Sequence, residues 1–155
     1  MPRRSLFQIN AIGRLKDGAF LELIKLYAGR GVEPVFREYT YNKGVGEADK
    51  IKKGEAKLLL EDIPAKAYVI ALDACGELMS SEDFAKFLDT KIVKGYSRIV
   101  FIIGGAFGLH DSVIKMSNKV LSLGKMTFPH MLARVILMEQ LYRTVEIWNN
   151  SPYHK

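Results

Sequence analysis

The sequence predicts an α/β domain built around a largely parallel β-sheet. Residues 67–73 and 98–103 are almost continuously apolar, which is typical of strands covered by helices on both faces. Stretches of helical length alternate with the predicted strands along the whole chain. The 155 residues suit one compact domain, so we predict a single domain over residues 1–155.

The first predicted strand covers residues 6–12. Within it Phe7, Ile9 and Ala11 alternate with polar residues, and this period of two assigns the apolar side chains to one face. The predicted order is strand 6–12, helix 17–27, strand 32–41, helix 47–60, strand 67–73, helix 80–93, strand 98–103, helix 111–118, strand 121–123 and helix 129–149.

Several helix boundaries have local sequence signals. Asp17 is a predicted N-cap, and Ser80 with Asp83 three residues later resembles a capping box. Gly95 is expected to end the helix that Ser80 begins. Pro129 is tolerated in a first helical turn, where its missing N–H group has no intrahelical partner.

Composition restricts the class of protein. Apolar residues make up 48% and charged residues 26%, a balance typical of a folded domain. No segment approaches the roughly 18 apolar residues of a membrane helix, and no targeting segment is evident. Cys75 is the single cysteine, so we expect a reducing, cytoplasmic location. The net charge of +6 favours a polyanionic partner, although many mildly basic proteins bind no nucleic acid.

The second apolar strand leads directly into the pattern G-G-x-x-G, formed by Gly104, Gly105 and Gly108. Glycines at a strand end allow backbone groups to approach a ligand closely, but they are equally compatible with a tight turn. The pattern lacks the spacing of a Rossmann fingerprint, and the lysine and hydroxyl residue of a P-loop are absent. Residues 12–15, after the first strand, also lack the fingerprint, which argues against a nicotinamide-dependent oxidoreductase.

The last predicted helix is apolar around most of its circumference. Such a helix should be buried on all sides, either as the centre of a monomer or against a second copy, and we predict a homodimer. Glu139 and Arg143 stand four residues apart on this helix, the usual spacing of a surface ion pair. The three histidines and Cys75 show no metal-ligand spacing, so we predict no metal site.

A set of short motifs occurs in a fixed order along the chain. They are Lys43-Gly44 before Ala48-Asp49, Leu72-Asp73 with Gly76, Ile102-Ile103-Gly104-Gly105 with Gly108-Leu109, Leu121-Ser122-Leu123, Thr127-Phe128-Pro129-His130, Glu139-Gln140-Leu141-Tyr142-Arg143 and Pro152-Tyr153-His154-Lys155. Together these motifs closely resemble the ribosomal large-subunit methyltransferase H family.

This resemblance implies an α/β SPOUT domain with a trefoil knot near its C-terminus. General rules of chain connection argue against knots, so only the resemblance supports this expectation. It further implies a cytoplasmic homodimer that uses S-adenosylmethionine. The implied reaction is methylation of N3 of a pseudouridine in the large-subunit (23S) ribosomal RNA of the assembled ribosome.

The resemblance also implies where the cofactor binds. Three segments at strand ends are expected to hold the adenine and ribose through backbone groups, in the crevice at the carboxyl edge of the sheet. The residues carried over are Leu72, Gly104, Gly105, Leu123, Gly124, Lys125, Met126, Thr127 and Phe128.

The implied catalytic residues lie in the last helix and the tail. We expect His154 or a water to accept the N3 proton, and Arg143 to stabilise charge that develops on the base carbonyls. Tyr153 would position the base, and Glu139 would orient Arg143. The complete set is His130, Glu139, Arg143, Tyr153 and His154.

One departure from the family pattern concerns the glycine loop. Many members have Pro-Glu after the paired glycines, whereas this chain has Ala106-Phe107. The alternative to an enzyme is a non-catalytic, ribosome-binding α/β module, which would have no reason to combine a cofactor loop with the Tyr153-His154 tail. Candidates for phosphate contacts, or simply solvated surface charges, are Arg3, Arg4, Lys43 and Lys155.

Overall fold

The computed structural model describes residues 6–42 and 46–154. They contain a five-stranded sheet in the order β2-β1-β4-β3-β5, and its four strand pairs are all parallel. The predicted α/β class is confirmed, whereas the trefoil knot stays a prediction. The elements are β1 (Phe7–Ile12), α1 (Ala19–Gly29), β2 (Val35–Tyr39), α2 (Ala48–Glu61), β3 (Ala67–Leu78), α3 (Ser81–Val93), β4 (Arg98–Ile103), α4 (Asp111–Met116), β5 (Lys119–Ser122), α5 (His130–Trp148) and a 3-10 turn (Pro152–His154).

Helices cover both faces of the sheet. On one face α1, α3 and α5 contribute Ile24, Leu88 and Leu137 to a large apolar core. On the other face α2 and α4 contribute Leu59 and Val113 to a smaller core. Two-sided burial explains why β3 and β4 begin as continuous apolar runs, as the sequence predicts.

The first strand is buried on both faces, although its sequence alternates. Gln8 and Asn10 are 1% and 0% exposed and face α2 rather than solvent. Asn10 donates to the carbonyl oxygen of Leu59 at 2.9 Å, and Gln8 donates to that of Asp62 at 2.8 Å. Carbonyls of a last helical turn have no intrahelical partner, so these amides satisfy the C-terminal end of α2. The period of two therefore distinguishes an apolar face from a polar face of the strand, but the polar face is buried rather than exposed to solvent.

The predicted helix signals have mixed outcomes. Ser80 is the N-cap of α3, and its hydroxyl accepts a hydrogen bond from the Asp83 N–H at 3.0 Å, as predicted. Asp17 is not the cap of α1, because that helix begins one residue later, after Gly18, without a side-chain cap. Pro129 occupies the N-cap position of α5 rather than its first turn.

The third strand is longer than its apolar run. It continues to Leu78, and its pairing with β5 is interrupted, so that Leu72 and Glu77 both align with Leu121. Gly76 lies at this irregularity: a Cβ added there would stand 2.6 Å from the carbonyl carbon of Leu121. The close approach of two backbones requires glycine at this position.

The last helix spans the sheet from its carboxyl edge to its amino edge. His130 begins it, and at the far end Trp148 stacks near Phe7 and donates to the carbonyl oxygen of Ala85 at 3.0 Å. One side of the helix is fully buried, including Leu137, whereas several other apolar residues are only half-buried. The described chain thus covers this helix only in part, and the predicted homodimer stays a prediction. The half-buried apolar residues are Met131, Leu132, Ala133, Ile136, Tyr142, Val145, Ile147 and Trp148.

We expect Gly76→Ala to lower the free energy of unfolding by roughly 1–3 kcal/mol, because the new methyl group would overlap the β5 backbone. Urea denaturation checks this value. Gly29→Ala is the matched control, since no atom lies within 4 Å of its added Cβ. Equal effects of the two substitutions would contradict the close β3–β5 approach.

Candidate cofactor cavity and C-terminal cluster

A cavity of about 590 Å³ opens at the carboxyl edge of the sheet. It lies between the segment that ends the apolar part of β3, the glycine loop after β4, and the β5–α5 connection. Of the nine predicted cofactor residues, all except Lys125 line it. The lining residues are Leu72, Asp73, Ala74, Ile103, Gly104, Gly105, Ala106, Gly108, Leu109, Leu123, Gly124, Met126, Thr127, Phe128, Pro129, His130 and Ala133.

The glycine loop is a tight turn that also forms a wall of the cavity. The Gly108 N–H donates to the Gly105 carbonyl oxygen at 3.1 Å, and Gly108 has a φ of 80°, which favours glycine. A Cβ on Gly104 would lie 2.9 Å from the Gly108 carbonyl group. Ala106 and Phe107 occupy the middle of this turn, with Phe107 54% exposed. The two readings of the glycine pattern, turn and ligand wall, are therefore compatible.

The β5–α5 connection is closed by the hydroxyl of Ser122. This hydroxyl donates to the Gly124 carbonyl oxygen at 2.7 Å and accepts from the Gly124 N–H at 3.1 Å. The turn leaves Thr127 and Met126 exposed at the cavity, and Met126 is 79% exposed. Met126 therefore contributes an exposed apolar side chain to the rim of the cavity.

His130 connects the cavity to a buried arginine. Its ring Nε2 lies 3.6 Å from the position of a Cβ on Gly13, and the Arg134 guanidinium lies next to the same position. Burial, and secondarily the positive charge of Arg134, lower the pKa of His130 below its ordinary value of 6.5. His130 is therefore neutral at pH 7, as a hydrogen-bonding or proton-accepting group requires.

Arg134 is the polar residue of this region that the sequence reasoning missed. Its side chain is 0% exposed and forms a 2.7 Å ion pair with Glu38. It also donates to the carbonyl oxygens of Ile12 and Gly13 at 2.7 and 2.6 Å. The available signal was an arginine within an otherwise apolar part of the last helix, since arginine is almost never fully buried unless it is paired.

The predicted catalytic residues Glu139, Arg143 and Tyr153 form one cluster. The Arg143 guanidinium donates from Nη2 and Nε to Glu139 Oε1 at 2.8 and 3.1 Å. It also lies 4.9 Å from the centre of the Tyr153 ring, whose hydroxyl is 3.3 Å from the same Glu139 oxygen. Tyr142 packs edge-on against Tyr153, with 4.7 Å between ring centres. The Glu139–Arg143 pair is thus part of a tail-anchoring cluster.

The surroundings of Arg143 and Tyr153 favour the protonated form of both side chains. Hydrogen bonding to Glu139 raises the pKa of Arg143 above its ordinary value. Burial, followed by the Glu139 charge, raises the pKa of Tyr153. At neutral pH the cluster therefore presents a charged planar guanidinium and a protonated aromatic hydroxyl, groups that can stabilise a developing anion.

The structure does not bring His130 and this cluster together within one protomer. At 1.5 Å per residue, Arg143 is about 20 Å and Glu139 about 14 Å from His130 along α5. The cluster instead lies near the end of α1, where Tyr27 packs against Tyr142. Outside the described residues lie Arg3, Arg4, Lys43, Lys155 and the side chain of His154.

The described part of the chain lacks two other kinds of feature. Residues 6–42 and 46–154 contain no group of three or more His, Cys, Asp or Glu side chains that could hold a metal ion. None of the helices in these ranges is long and apolar enough to cross a membrane.

Comparison with known proteins identifies the class. The family described as "Predicted SPOUT methyltransferase" matches residues 6–154, so the chain belongs to the SPOUT methyltransferase family. It is 41% identical to "Ribosomal RNA large subunit methyltransferase H" of Ruminiclostridium cellulolyticum over 95% of this chain and 98% of that protein. The protein of the same name from Carboxydothermus hydrogenoformans is 39% identical over the same shares.

Solved structures agree on the fold. A probable methyltransferase from Bordetella pertussis superposes with a TM-score of 0.61, covering 94% of this chain and 99% of that chain at 14% identity. A probable methylase family protein from Haemophilus influenzae superposes with a TM-score of 0.56, covering 97% and 71% at 14% identity. At this identity the likeness concerns the fold alone.

The lowered pKa of His130 predicts a pH dependence of stability. Just below pH 6.5 the unfolded chain binds a proton that the folded chain resists, so the free energy of unfolding falls as the pH falls. His130→Gln cannot be protonated and should lose this part of the slope. Urea titrations of both proteins between about pH 7.5 and 5 measure it. Identical slopes would mean that His130 is no harder to protonate in the folded chain than in the unfolded chain.

Proposed function

We propose that this protein transfers a methyl group from S-adenosylmethionine to N3 of a pseudouridine in the large-subunit ribosomal RNA of the assembled ribosome. The observation that carries the proposal is the cavity at the three strand ends, in a chain of the SPOUT family. The names of its relatives support the RNA substrate, and the net charge of +6 is compatible with it. Because ribosomes are the substrate, the proposed location is the cytoplasm.

The residues of the cavity fit S-adenosylmethionine. Its volume of about 590 Å³ is within the range of small-molecule sites. The Gly104 and Gly108 backbones lie so close together that a Cβ on Gly104 would overlap Gly108. Main-chain groups therefore form the polar wall of the cavity. Leu72, Leu123 and Phe128 supply apolar contacts for an adenosine group. When bound, the cofactor supplies an activated methyl group, and the protein has to position the acceptor.

The C-terminal cluster provides the groups that the acceptor base needs. The Arg143 guanidinium, held by Glu139, can stabilise negative charge on the base carbonyls as the N3 proton leaves. The exposed part of the Tyr153 ring can stack on or orient an extruded base. We assign removal of the N3 proton to His154 or to a water, and a supporting role at the cavity to neutral His130.

Because His130 and Arg143 are about 20 Å apart along one helix, we propose that a homodimer completes the site. The cavity of one protomer would receive the partner's Arg143 and Tyr153. Exposed apolar side chains on α1, next to the cluster, support this interface. They are Phe20, Leu23 and Leu26, which are 39–47% exposed.

The proposed function predicts separable defects. The wild-type protein should bind S-adenosylmethionine in a calorimetric titration and methylate ribosomes that lack the modification. Arg143→Ala should reduce methyl transfer by about 100-fold or more and leave cofactor binding intact, since the guanidinium acts on the base. Lys115→Ala, at an exposed position on α4, is the control. A folded wild-type protein that binds no cofactor, with or without ribosomes, would favour a non-catalytic ribosome-binding module.

The shared site predicts complementation between inactive variants. Thr127→Trp should fill the cavity, and Arg143→Ala removes the guanidinium, so each variant alone is inactive. Mixed dimers contain one intact cavity facing one intact cluster. An equal mixture, exchanged by mild denaturation, should regain about a quarter of wild-type methyl transfer. A mixture that stays inactive, while sedimentation shows mixed dimers, would mean that each protomer contains its own complete site.

A further inference from the structure

Glu55 lies in α2 directly behind the glycine loop. It is only 7% exposed, although it is a glutamate on a helix that is otherwise largely polar and solvated. The Gly105 N–H faces its carboxylate. A Cβ on Gly105 would lie 2.8 Å from Glu55 Oε1 and 3.1 Å from Oε2. The carboxylate is therefore in contact with the backbone of a cavity-lining residue.

This carboxylate is poorly compensated as a structural group. Among residues 6–42 and 46–154, Glu55 Oε2 has no hydrogen-bond partner. Burial raises the pKa of Glu55, and the Gly105 N–H opposes that rise. A buried charge with one unsatisfied oxygen is unfavourable for folding, and an apolar side chain of similar size would be better tolerated. The contact with Gly105 is the structural feature that explains a glutamate here.

The contact sets the orientation of one peptide group. In a planar trans peptide the carbonyl points opposite to the N–H. Because the Gly105 N–H points toward Glu55, the Gly104 carbonyl points away from α2. Both glycines line the cavity, so the direction of this peptide determines which backbone groups face a ligand.

We propose that Glu55 is a positioning residue for cofactor binding, which holds the Gly104–Gly105 peptide in its ligand-binding orientation through the Gly105 N–H. Glu55 lies outside the residues that line the cavity, so it acts through Gly105. The inference rests on the proposed use of S-adenosylmethionine in this cavity. It also explains why residue 105 is glycine, since a side chain there would displace the carboxylate.

The first experiment compares wild type, Glu55→Gln and Glu55→Ala by calorimetric titration with S-adenosylmethionine and by thermal unfolding. Glu61→Gln, at an exposed glutamate of the same helix, is the matched control. Loss of the carboxylate that holds the Gly105 backbone should weaken cofactor binding roughly tenfold in Glu55→Ala. Glu55→Gln keeps an acceptor oxygen and should recover part of this affinity.

Kinetics distinguish positioning of the cofactor from a general defect. For Glu55→Ala, KM for S-adenosylmethionine should rise, whereas KM for ribosomes should stay at the wild-type value. Unchanged cofactor affinity in a folded Glu55→Ala protein overturns the inference and leaves the proposed function intact. Absence of cofactor binding in the wild type instead overturns the proposed function itself.

A double-mutant cycle tests the contact directly. Gly105→Ala alone places a methyl group against the Glu55 carboxylate and should weaken cofactor binding. In a Glu55→Ala background the carboxylate is gone and the Ile12 methyl group, 3.2 Å from the added Cβ, is the close neighbour that remains, so adding Gly105→Ala should weaken binding less. Equal effects of Gly105→Ala in the two backgrounds would show that Glu55 does not restrict residue 105, and would contradict the proposal.

Discussion

The buried guanidinium of Arg134 joins the first turn and a half of α5 to the ends of β1 and β2. Its charge is paired with that of Glu38, and its side chain is fully enclosed. Its bonds to the carbonyl oxygens of Ile12 and Gly13 occupy groups that a strand end leaves unpaired. An apolar replacement could stabilise a core equally well, so the pair is best explained by the orientation that it imposes. His130 lies one turn before Arg134, and burial, followed by the Arg134 charge, lowers its pKa.

The same helix separates two sets of candidate functional groups. Its N-terminus supplies His130 and Ala133 to the cavity, while its C-terminal half supplies Glu139 and Arg143 to the tail. A straight helix of 19 residues cannot bring both ends to one reacting atom. The proposed sharing of sites between two protomers follows from this length. The same proposal would bury the exposed apolar side chains of α1 and the half-buried ones of α5 in the interface between the protomers.

Contacts to the backbone of glycines shape the cavity. Gly104 approaches Gly108, the Ser122 hydroxyl closes the turn at Gly124, and the Glu55 carboxylate lies against Gly105. Such a site needs few distinctive side chains within the cavity. For this reason the glycine pattern alone did not identify a ligand, although its three glycines line the cavity.

The sequence by itself determined the order of helices and strands, the α/β class and the covered strands, because apolar periodicity and local caps are encoded within single elements. The resemblance added nine cofactor residues, of which eight line the cavity, and five catalytic residues, of which Glu139, Arg143 and Tyr153 form one cluster. Only the tertiary structure decided that Gln8 and Asn10 face a helix end, that β3 continues past its apolar run to Leu78, and that Arg134 and Glu55 are buried beside the cavity. Each of these depends on a partner between about 45 and 120 positions away along the chain, and no local pattern records such a partner.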